Sequence, residues 1–231
     1  MSAQLPLSIR FRDGTSFAEY VPGRNAEPVQ CLQGAPASPG QSVYLWGAAG
    51  TGKTHLLQAA CRLAAGRGEA AVYVPLRRRD ELAPAMLEGL EALALVCVDD
   101  VDAVAGDAAW EAALFHLYNR VRDGGGRVVL AGAAAPRALG LGLPDLATRL
   151  AWGLVFQLQP LADEEKAEAL RLRARARGMD MPEAVARYLL QRHARDMDAL
   201  FALLERLDRA SLAAQRRLTL PFVREVAGDA D

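Results

Sequence analysis

Lysine is almost missing from this chain: of 27 basic side chains in 231 residues, all but Lys53 and Lys166 are arginine. Cysteine is scarce as well, and Cys31, Cys61 and Cys97 are too scattered for a disulfide framework or a zinc site. The three histidines, His55, His116 and His193, are equally dispersed and form no metal-ligand pattern. No basic excess exists either. The formal charge is −1, residues 1–150 carry 14 basic and 15 acidic side chains, and residues 151–231 carry 13 of each. Free-standing nucleic-acid binding by bulk electrostatics is thereby excluded. The N-terminus shows no basic stretch followed by an apolar one, and no apolar run approaches the roughly 20 residues that span a bilayer. The expectation is a soluble, cytoplasmic protein with no membrane contact.

What is present is apolar. The 52% of hydrophobic residues suffices for a sizeable core and excludes disorder. Residues 1–41, rich in Pro, Gly and polar side chains, read as an extended lead-in with one short helix at most. A strand–helix alternation follows over 42–160. Strands are expected at Val43–Trp46, Ala70–Val74, Leu93–Val98, Val128–Ala131 and Leu154–Leu158, with helices at 53–66, 79–91, 107–123 and 144–151. Short buried strands alternating with helices predict an α/β unit whose parallel sheet is covered on both faces. After Pro160 the pattern becomes purely helical, over 161–231. Asp163 opens a helix to about Gly178, and Met181–Pro182 opens a second ending near His193. Asp196 starts a third, with Leu200, Leu203, Leu204 and Leu207 at helical spacing, and Thr219 with Pro221 starts a fourth. The helical unit is expected to form a lid.

The sharpest signal is Gly47-Ala48-Ala49-Gly50-Thr51-Gly52-Lys53-Thr54, which follows a strand and opens a helix. Small residues let backbone N–H groups turn inward around phosphate oxygens, and the helix N-terminus adds partial positive charge. Lys53 can reach the β- and γ-phosphates, while the Thr54 hydroxyl can ligate Mg²⁺. A lysine here, in so arginine-biased a chain, indicates that a compact point charge is required. Farther on, the apolar run Leu95–Val98 ends in two carboxylates. Asp99 is placed to hold Mg²⁺ through its water shell, and Asp100 to face the γ-phosphate and orient a water. The run Arg77-Arg78-Arg79 reads as a solvated helix start, or else a patch for an acidic partner.

In this order, phosphate loop, acidic strand end and helical lid resemble an AAA+ module, and more specifically the DnaA/Hda family of replication proteins. Five segments carry the likeness: SFAEYVPGRNAEPV, YLWGAAGTGKTHLLQAAC, LVCVDDVDAVAGDAAWEAALFHLYNRVRDGGGR, LPDLATRLAWGLVFQLQPLADEEKAEALRLRARARGM and DRASLAAQRRLTLPFVREV. The last two are specific to the Hda branch, whereas the phosphate loop alone marks only the superfamily. The likeness implies that Tyr20, Pro22, Asn25 and His55 join Gly47, Gly50, Thr51, Gly52, Lys53 and Thr54 around ADP or ATP with Mg²⁺. It implies an arginine finger at Arg149 that acts in trans; an ordinary ion pair with Asp145 is the alternative there. It also implies contacts to DnaA through Phe115 and Asn119. Gln4-Leu5-Pro6-Leu7 resembles a sliding-clamp-binding peptide, with Leu5 and Leu7 as apolar anchors and Gln4 at the pocket rim. DNA would then be reached indirectly, through the clamp (the DNA polymerase III beta subunit). In DnaA a helix-turn-helix domain follows the lid; the expectation here is a protein without one.

Two departures bear on activity. The polar residue that AAA+ proteins place after the fourth strand is Ala133 here, and the lid arginine position is Asp198, with Arg195 one turn earlier as a substitute. The family role that follows is a nucleotide-binding regulator with weak intrinsic ATPase, which promotes hydrolysis of DnaA-bound ATP and so prevents re-initiation of replication. An autonomous P-loop ATPase, helicase-loader-like or DNA-remodelling, is the alternative. Homo-oligomerisation is left open.

Overall fold

The computed structural model describes residues 15–34, 39–192 and 196–228. Five strands form one parallel sheet: β1 Ser42–Trp46, β2 Ala71–Pro75, β3 Leu95–Asp99, β4 Arg127–Gly132 and β5 Leu154–Gln157. Their spatial order is β2-β3-β4-β1-β5, so β1 lies between β4 and the edge strand β5. Register brings the functional strand ends level, with Trp46 opposite Gly132 and Pro75 opposite Asp99. In open parallel sheets, ligands bind beyond the carboxyl ends of the strands, where the strand order reverses. The phosphate loop after β1 and the acids after β3 both lie there.

Eight α-helices accompany the sheet among the described residues: α1 Ala26–Gln33, α2 Lys53–Gly66, α3 Ala108–Asp123, α4 Pro144–Leu150, α5 Asp163–Ala176, α6 Glu183–Arg192, α7 Met197–Ala214 and α8 Leu220–Ala227. Val43, Leu45, Cys97 and Val129 face α1 and α2, where Leu32, Leu56, Leu57 and Ala60 are buried. Tyr44, Val74, Val96, Val98 and Leu130 face α3 and α4, against Leu114, Leu117, Leu146 and Leu150. Each fully buried leucine contributes about 2 kcal/mol by leaving water. Arg127, at the start of β4, ties the lead-in helix to the sheet. Its guanidinium donates to Cys31 O at 2.7 Å and to Leu32 O and Gly34 O at 3.3 Å, placing a cation on the unsatisfied carbonyls at the C-terminal end of α1.

The C-terminal helices close over a core of their own, built on Leu170, Leu189, Leu200, Leu204, Leu207 and Val223. Asp196 caps α7 by accepting from Ala199 N at 3.2 Å, and Thr219 caps α8. Val21, from the segment before α1, packs into this helical core and joins the two layers of structure.

One expected element is absent. Residues 79–91 form no α-helix; the chain makes three short 3-10 turns instead, at Leu76–Glu81, Pro84–Leu87 and Leu90–Ala92. Pro84 forces the preceding Ala83 into an extended conformation (φ −125°, ψ 149°), and Gly89 takes φ 81°, so no α-helix forms across them. The first of the three arginines here pairs with Asp100, the second with Glu81, and the third donates to Ala103 O. At α5, the N-cap is Ala162 rather than Asp163, and Glu165 accepts from Ala162 N at 2.7 Å.

Glu111 is the least expected core residue. It is 1% exposed on α3, and its carboxylate accepts from Gly106 N at 2.7 Å, Gly142 N at 3.0 Å and Leu143 N at 2.6 Å. These bonds fasten the loop that launches α4. Each such hydrogen bond contributes about 1 kcal/mol net. Glu111→Ala is therefore expected to lower stability by about 3 kcal/mol, or roughly 6–12 °C in melting temperature for a domain of this size. Glu111→Gln should also destabilise, because its NH₂ group meets an N–H donor. Thermal denaturation followed by circular dichroism checks both, and an unchanged midpoint for Glu111→Ala contradicts the assignment.

Candidate functional site

The loop Gly47–Gly52 wraps back on itself at the end of β1. Gly50 and Gly52 lie at φ 75° and 88°, in the left-handed region that a β-carbon disfavours. At Gly52 a β-carbon would also stand 2.5 Å from the Tyr20 ring, so close approach requires glycine twice over. No side chain caps the N-terminus of α2, which leaves its first N–H groups directed into the loop. Lys53 Nζ donates to Gly47 O at 2.6 Å and Ala48 O at 2.9 Å, holding the ammonium across the loop. Partial burial pulls the Lys53 pKa down from its ordinary value, while Asp99, Asp100 and Asp102 act in the opposite direction. Thr51 Oγ1 closes the loop on Ala48 O at 2.9 Å.

Asp99 is fully buried and serves as the hub of the site. Its Oδ2 accepts from Thr54 Oγ1 at 2.6 Å and Tyr73 OH at 2.8 Å, and its Oδ1 from Asp100 N at 3.0 Å. One hydroxyl and one carboxylate thus face each other as hard oxygen donors, a set suited to Mg²⁺ that completes its shell with water and phosphate oxygens. Among the described residues no cluster of three or more His, Cys, Asp or Glu side chains forms a metal cage, so the fit is to a phosphate-borne ion. Asp100, at φ 55°, turns its carboxylate to Arg77 at 3.0 Å. Burial first, and then Asp99, raise the Asp100 pKa, and Arg77 opposes them. Asp102 accepts from Ala133 N at 2.8 Å, so a carboxylate engages the backbone where the sequence supplies no polar side chain.

The segment before α1 closes one side. Tyr20 OH donates to Thr51 O at 3.1 Å, and its ring lies 5.5 Å from that of His55. Burial pushes the Tyr20 phenol up to about 12, partly offset by its bond from Asn25. Both ends of the Asn25 amide engage Gln159: Nδ2 donates to Gln159 O at 2.9 Å and Oδ1 accepts from Gln159 N at 2.7 Å. Asn25 thereby pins the lead-in to the exit of β5; it closes the 3-10 turn Gly23–Asn25, which the exposed Pro22 precedes. From the lid, Asp196 approaches the loop so closely that a β-carbon on Gly50 would stand 2.8 Å from its Oδ1. Asp198 is exposed in the first turn of α7. Arg195, Gln4, Leu5 and Leu7 lie outside the described residues.

Arg149 belongs to a different surface. Its guanidinium lies 4.2 Å from the Trp152 ring centre and 5.9 Å from that of Phe115, and it makes no ion pair with Asp145. Asn119, one turn beyond Phe115 on α3, has a buried Oδ1 without a hydrogen-bond partner among the described residues. The phosphate loop, Tyr20, Asn25, His55, Asp99 and Asp100 are therefore gathered at one end of the sheet, and Arg149, Phe115 and Asn119 on the α3–α4 side. Sequence reasoning missed Tyr73, Arg77, Asp102, Glu111 and Trp152. Tyr73 carried a signal, through its place in an apolar strand that must pair beside β3, and Trp152 another, through its spacing of three residues from Arg149.

His55 gives this arrangement a pH dependence. Its Nε2 donates to Ser16 O at 2.8 Å, and burial holds its pKa below the ordinary 6.5, the bond to Ser16 only partly offsetting this. A depressed folded value means that the stabilisation is complete above 6.5 and is lost as pH falls from there through the folded value. Thermal melts between about pH 7.5 and about pH 5 should show this decline, and His55→Gln should flatten it. An equal slope in the variant would assign the dependence to another group.

Comparison with known proteins agrees with this geometry. The family model of the bacterial DnaA ATPase domain matches residues 14–157, and that of the Hda lid domain matches residues 163–227. Domain III of the Thermotoga maritima replication initiation protein DnaA superposes with a TM-score of 0.80 at 21% identity, covering 93% of this chain and 96% of that one. AMPPCP-bound DnaA from Aquifex aeolicus gives 0.65 at 21% identity over 83% of this chain and 64% of that one. The Thermotoga maritima RuvB Holliday junction branch migration motor gives 0.60 at 18% identity over 82% and 61%. Among the described residues no helix is long and apolar enough to cross a membrane. With a parallel sheet, a phosphate loop after β1, acids after β3 and a four-helix lid, the chain belongs to the bacterial DnaA ATPase-domain family and is a Hda/DnaA-like AAA+ protein.

Proposed function

We propose that this chain is a Hda-like regulator of DNA replication: it holds an adenine nucleotide as a structural ligand and, docked on the DNA-loaded sliding clamp, makes DnaA hydrolyse its bound ATP. The observation that carries this reading is Arg149, a cation with no acidic partner among the described residues, displayed on an exposed tryptophan away from the phosphate loop of its own chain. A guanidinium so placed is available to a neighbour's γ-phosphate. Arginine fingers stabilise transition-state charge there and contribute about 10³–10⁵ in rate.

The nucleotide's own site supports binding better than turnover. Lys53 exchanges its loop carbonyls for the β- and γ-phosphates, the N-terminus of α2 and the inward N–H groups hold the polyphosphate, and Tyr20, Pro22, Asn25 and His55 enclose the nucleoside side. Bound Mg²⁺ neutralises phosphate charge, and Thr54 and Asp99 would hold it, Asp99 through water. Against hydrolysis stand three features. Ala133 offers no side chain to position a water, Asp100 is engaged by Arg77, and Asp198 projects from α7 into solvent. AMPPCP in the Aquifex aeolicus relative fits the same reading, as does the Hda lid match for a DnaA partner. Gln4, Leu5 and Leu7 supply the clamp contact, and Phe115 and Asn119 contribute to the DnaA contact.

The test is stimulation of ATP hydrolysis by DnaA in the presence of DNA-loaded clamp. Wild-type protein should accelerate it while hydrolysing little ATP alone. Arg149→Ala should keep its fold and clamp binding but lose the acceleration, and alanine at Gln4, Leu5 and Leu7 together should lose clamp binding. Full acceleration by Arg149→Ala assigns the finger elsewhere, and vigorous ATP turnover by the protein alone contradicts the regulatory reading.

A further inference from the structure

Trp152 is the largest apolar side chain left in solvent, 63% exposed, and it stands at the junction of α4 and β5. Its backbone is not free to adapt. Trp152 N donates to Arg149 O at 3.1 Å, closing the last turn of α4. The next residue, Gly153, is pressed so tightly on β1 that a β-carbon there would lie 2.1 Å from Ser42 Oγ and 2.2 Å from Ser42 O. Ser42 Oγ in turn bonds Tyr118 OH at 2.8 Å, inside the core beneath α3. The indole is therefore an exposed ring on a rigid mount.

Two arginines use that ring. Arg149 lies 4.2 Å from its centre and Arg122, from α3, 5.4 Å. Arg122 is also paired with Asp123 at 2.9 Å, whereas Arg149 has no acidic partner among the described residues. The negative face of an indole attracts a guanidinium without neutralising it, so Arg149 is held in place with its charge still available. On the edge strand β5, Val155 lies on the same face of the sheet as Tyr44, the α3–α4 side, and is 37% exposed. An exposed tryptophan between two arginines has the composition of an interface hot spot: an aromatic anchor with a cationic rim. The unpaired cation at its centre calls for an anion from the partner, and the α3 side of the same surface carries Phe115, within 5.9 Å of Arg149.

We infer that Trp152 is the positioning residue for Arg149 and the apolar anchor of the surface that meets the nucleotide-bearing face of the DnaA partner. This rests on the function proposed above and names a part of it that the family resemblance leaves unassigned. The geometry divides the labour: Arg149 supplies charge to the partner's phosphate, and Trp152 fixes the guanidinium and buries apolar area as the two surfaces close. Preorganisation lowers the entropy lost on docking, so the tryptophan should govern affinity as well as rate.

The experiment titrates wild type, Arg149→Ala, Trp152→Ala and Trp152→Phe into the DnaA hydrolysis assay with DNA-loaded clamp. Each variant's melting temperature is measured with ADP. Because the indole is exposed, Trp152→Ala should melt like wild type. It should raise the concentration needed for half-maximal stimulation at least about tenfold and lower the maximum, and Trp152→Phe should recover most of both. Arg149→Ala should lower the maximum above all. If Arg149→Ala is inactive while Trp152→Ala stimulates like wild type, the inference is overturned and the proposed function stands. If Trp152→Phe is as defective as Trp152→Ala, the aromatic-platform role is overturned. If neither alanine variant changes stimulation, the finger lies elsewhere and the inference falls with it; if wild type itself fails to stimulate, the proposed function fails.

Discussion

Everything at the carboxyl end of the sheet is organised around one buried carboxylate. Asp99 is removed from water and balanced by Thr54 from α2, Tyr73 from β2 and the backbone N–H of Asp100. A buried charge is tolerable only when its acceptor sites are filled, so these donors cannot be displaced without cost. Through them the start of the phosphate-loop helix is held to β3 and β2, and the Thr54 hydroxyl is bonded directly to the Asp99 carboxylate. The left-handed glycines of the loop then need only to turn the chain between β1 and α2. The lead-in contributes the second tie, through Tyr20 on Thr51 O and Asn25 on Gln159.

The carboxylate of Glu111 plays a parallel part on the other face. It neutralises no charge; it collects three backbone N–H groups from two loops, and one of those loops begins α4. α4 ends under Trp152, and Trp152 carries Arg149. The presentation of a surface cation thus depends on a fully buried acid in the neighbouring helix. Fold and function are coupled here through ordinary backbone hydrogen bonding, without any direct contact between Glu111 and Arg149.

Much of this was legible in the residues. Strand–helix alternation and the glycine-rich loop located the sheet, α2 and the acids after β3, because buried parallel strands and phosphate loops impose strong local patterns. The helix expected over 79–91 was not, since its apolar spacing looked helical while Pro84 and Gly89 dictated the backbone. The partners of the site residues were also invisible. That Asp102 reaches Ala133, that Arg77 engages Asp100, and that Asn25 spends its amide on Gln159 are consequences of which strand ends become neighbours. The contact of Arg149 with Trp152, three residues away, was within reach of turn geometry. An aspartate at helical spacing, Asp145, was the more obvious partner, yet the indole holds the guanidinium.

The central claim is that the phosphate loop retains adenine nucleotide as a structural ligand of a regulator. It is tested most directly by denaturing freshly purified protein and identifying the released nucleotide by chromatography. The account predicts about one ADP per chain, a further rise in melting temperature when ADP is in excess, and neither in Lys53→Ala. Protein that releases no nucleotide and melts at the same temperature with and without added ADP would contradict it.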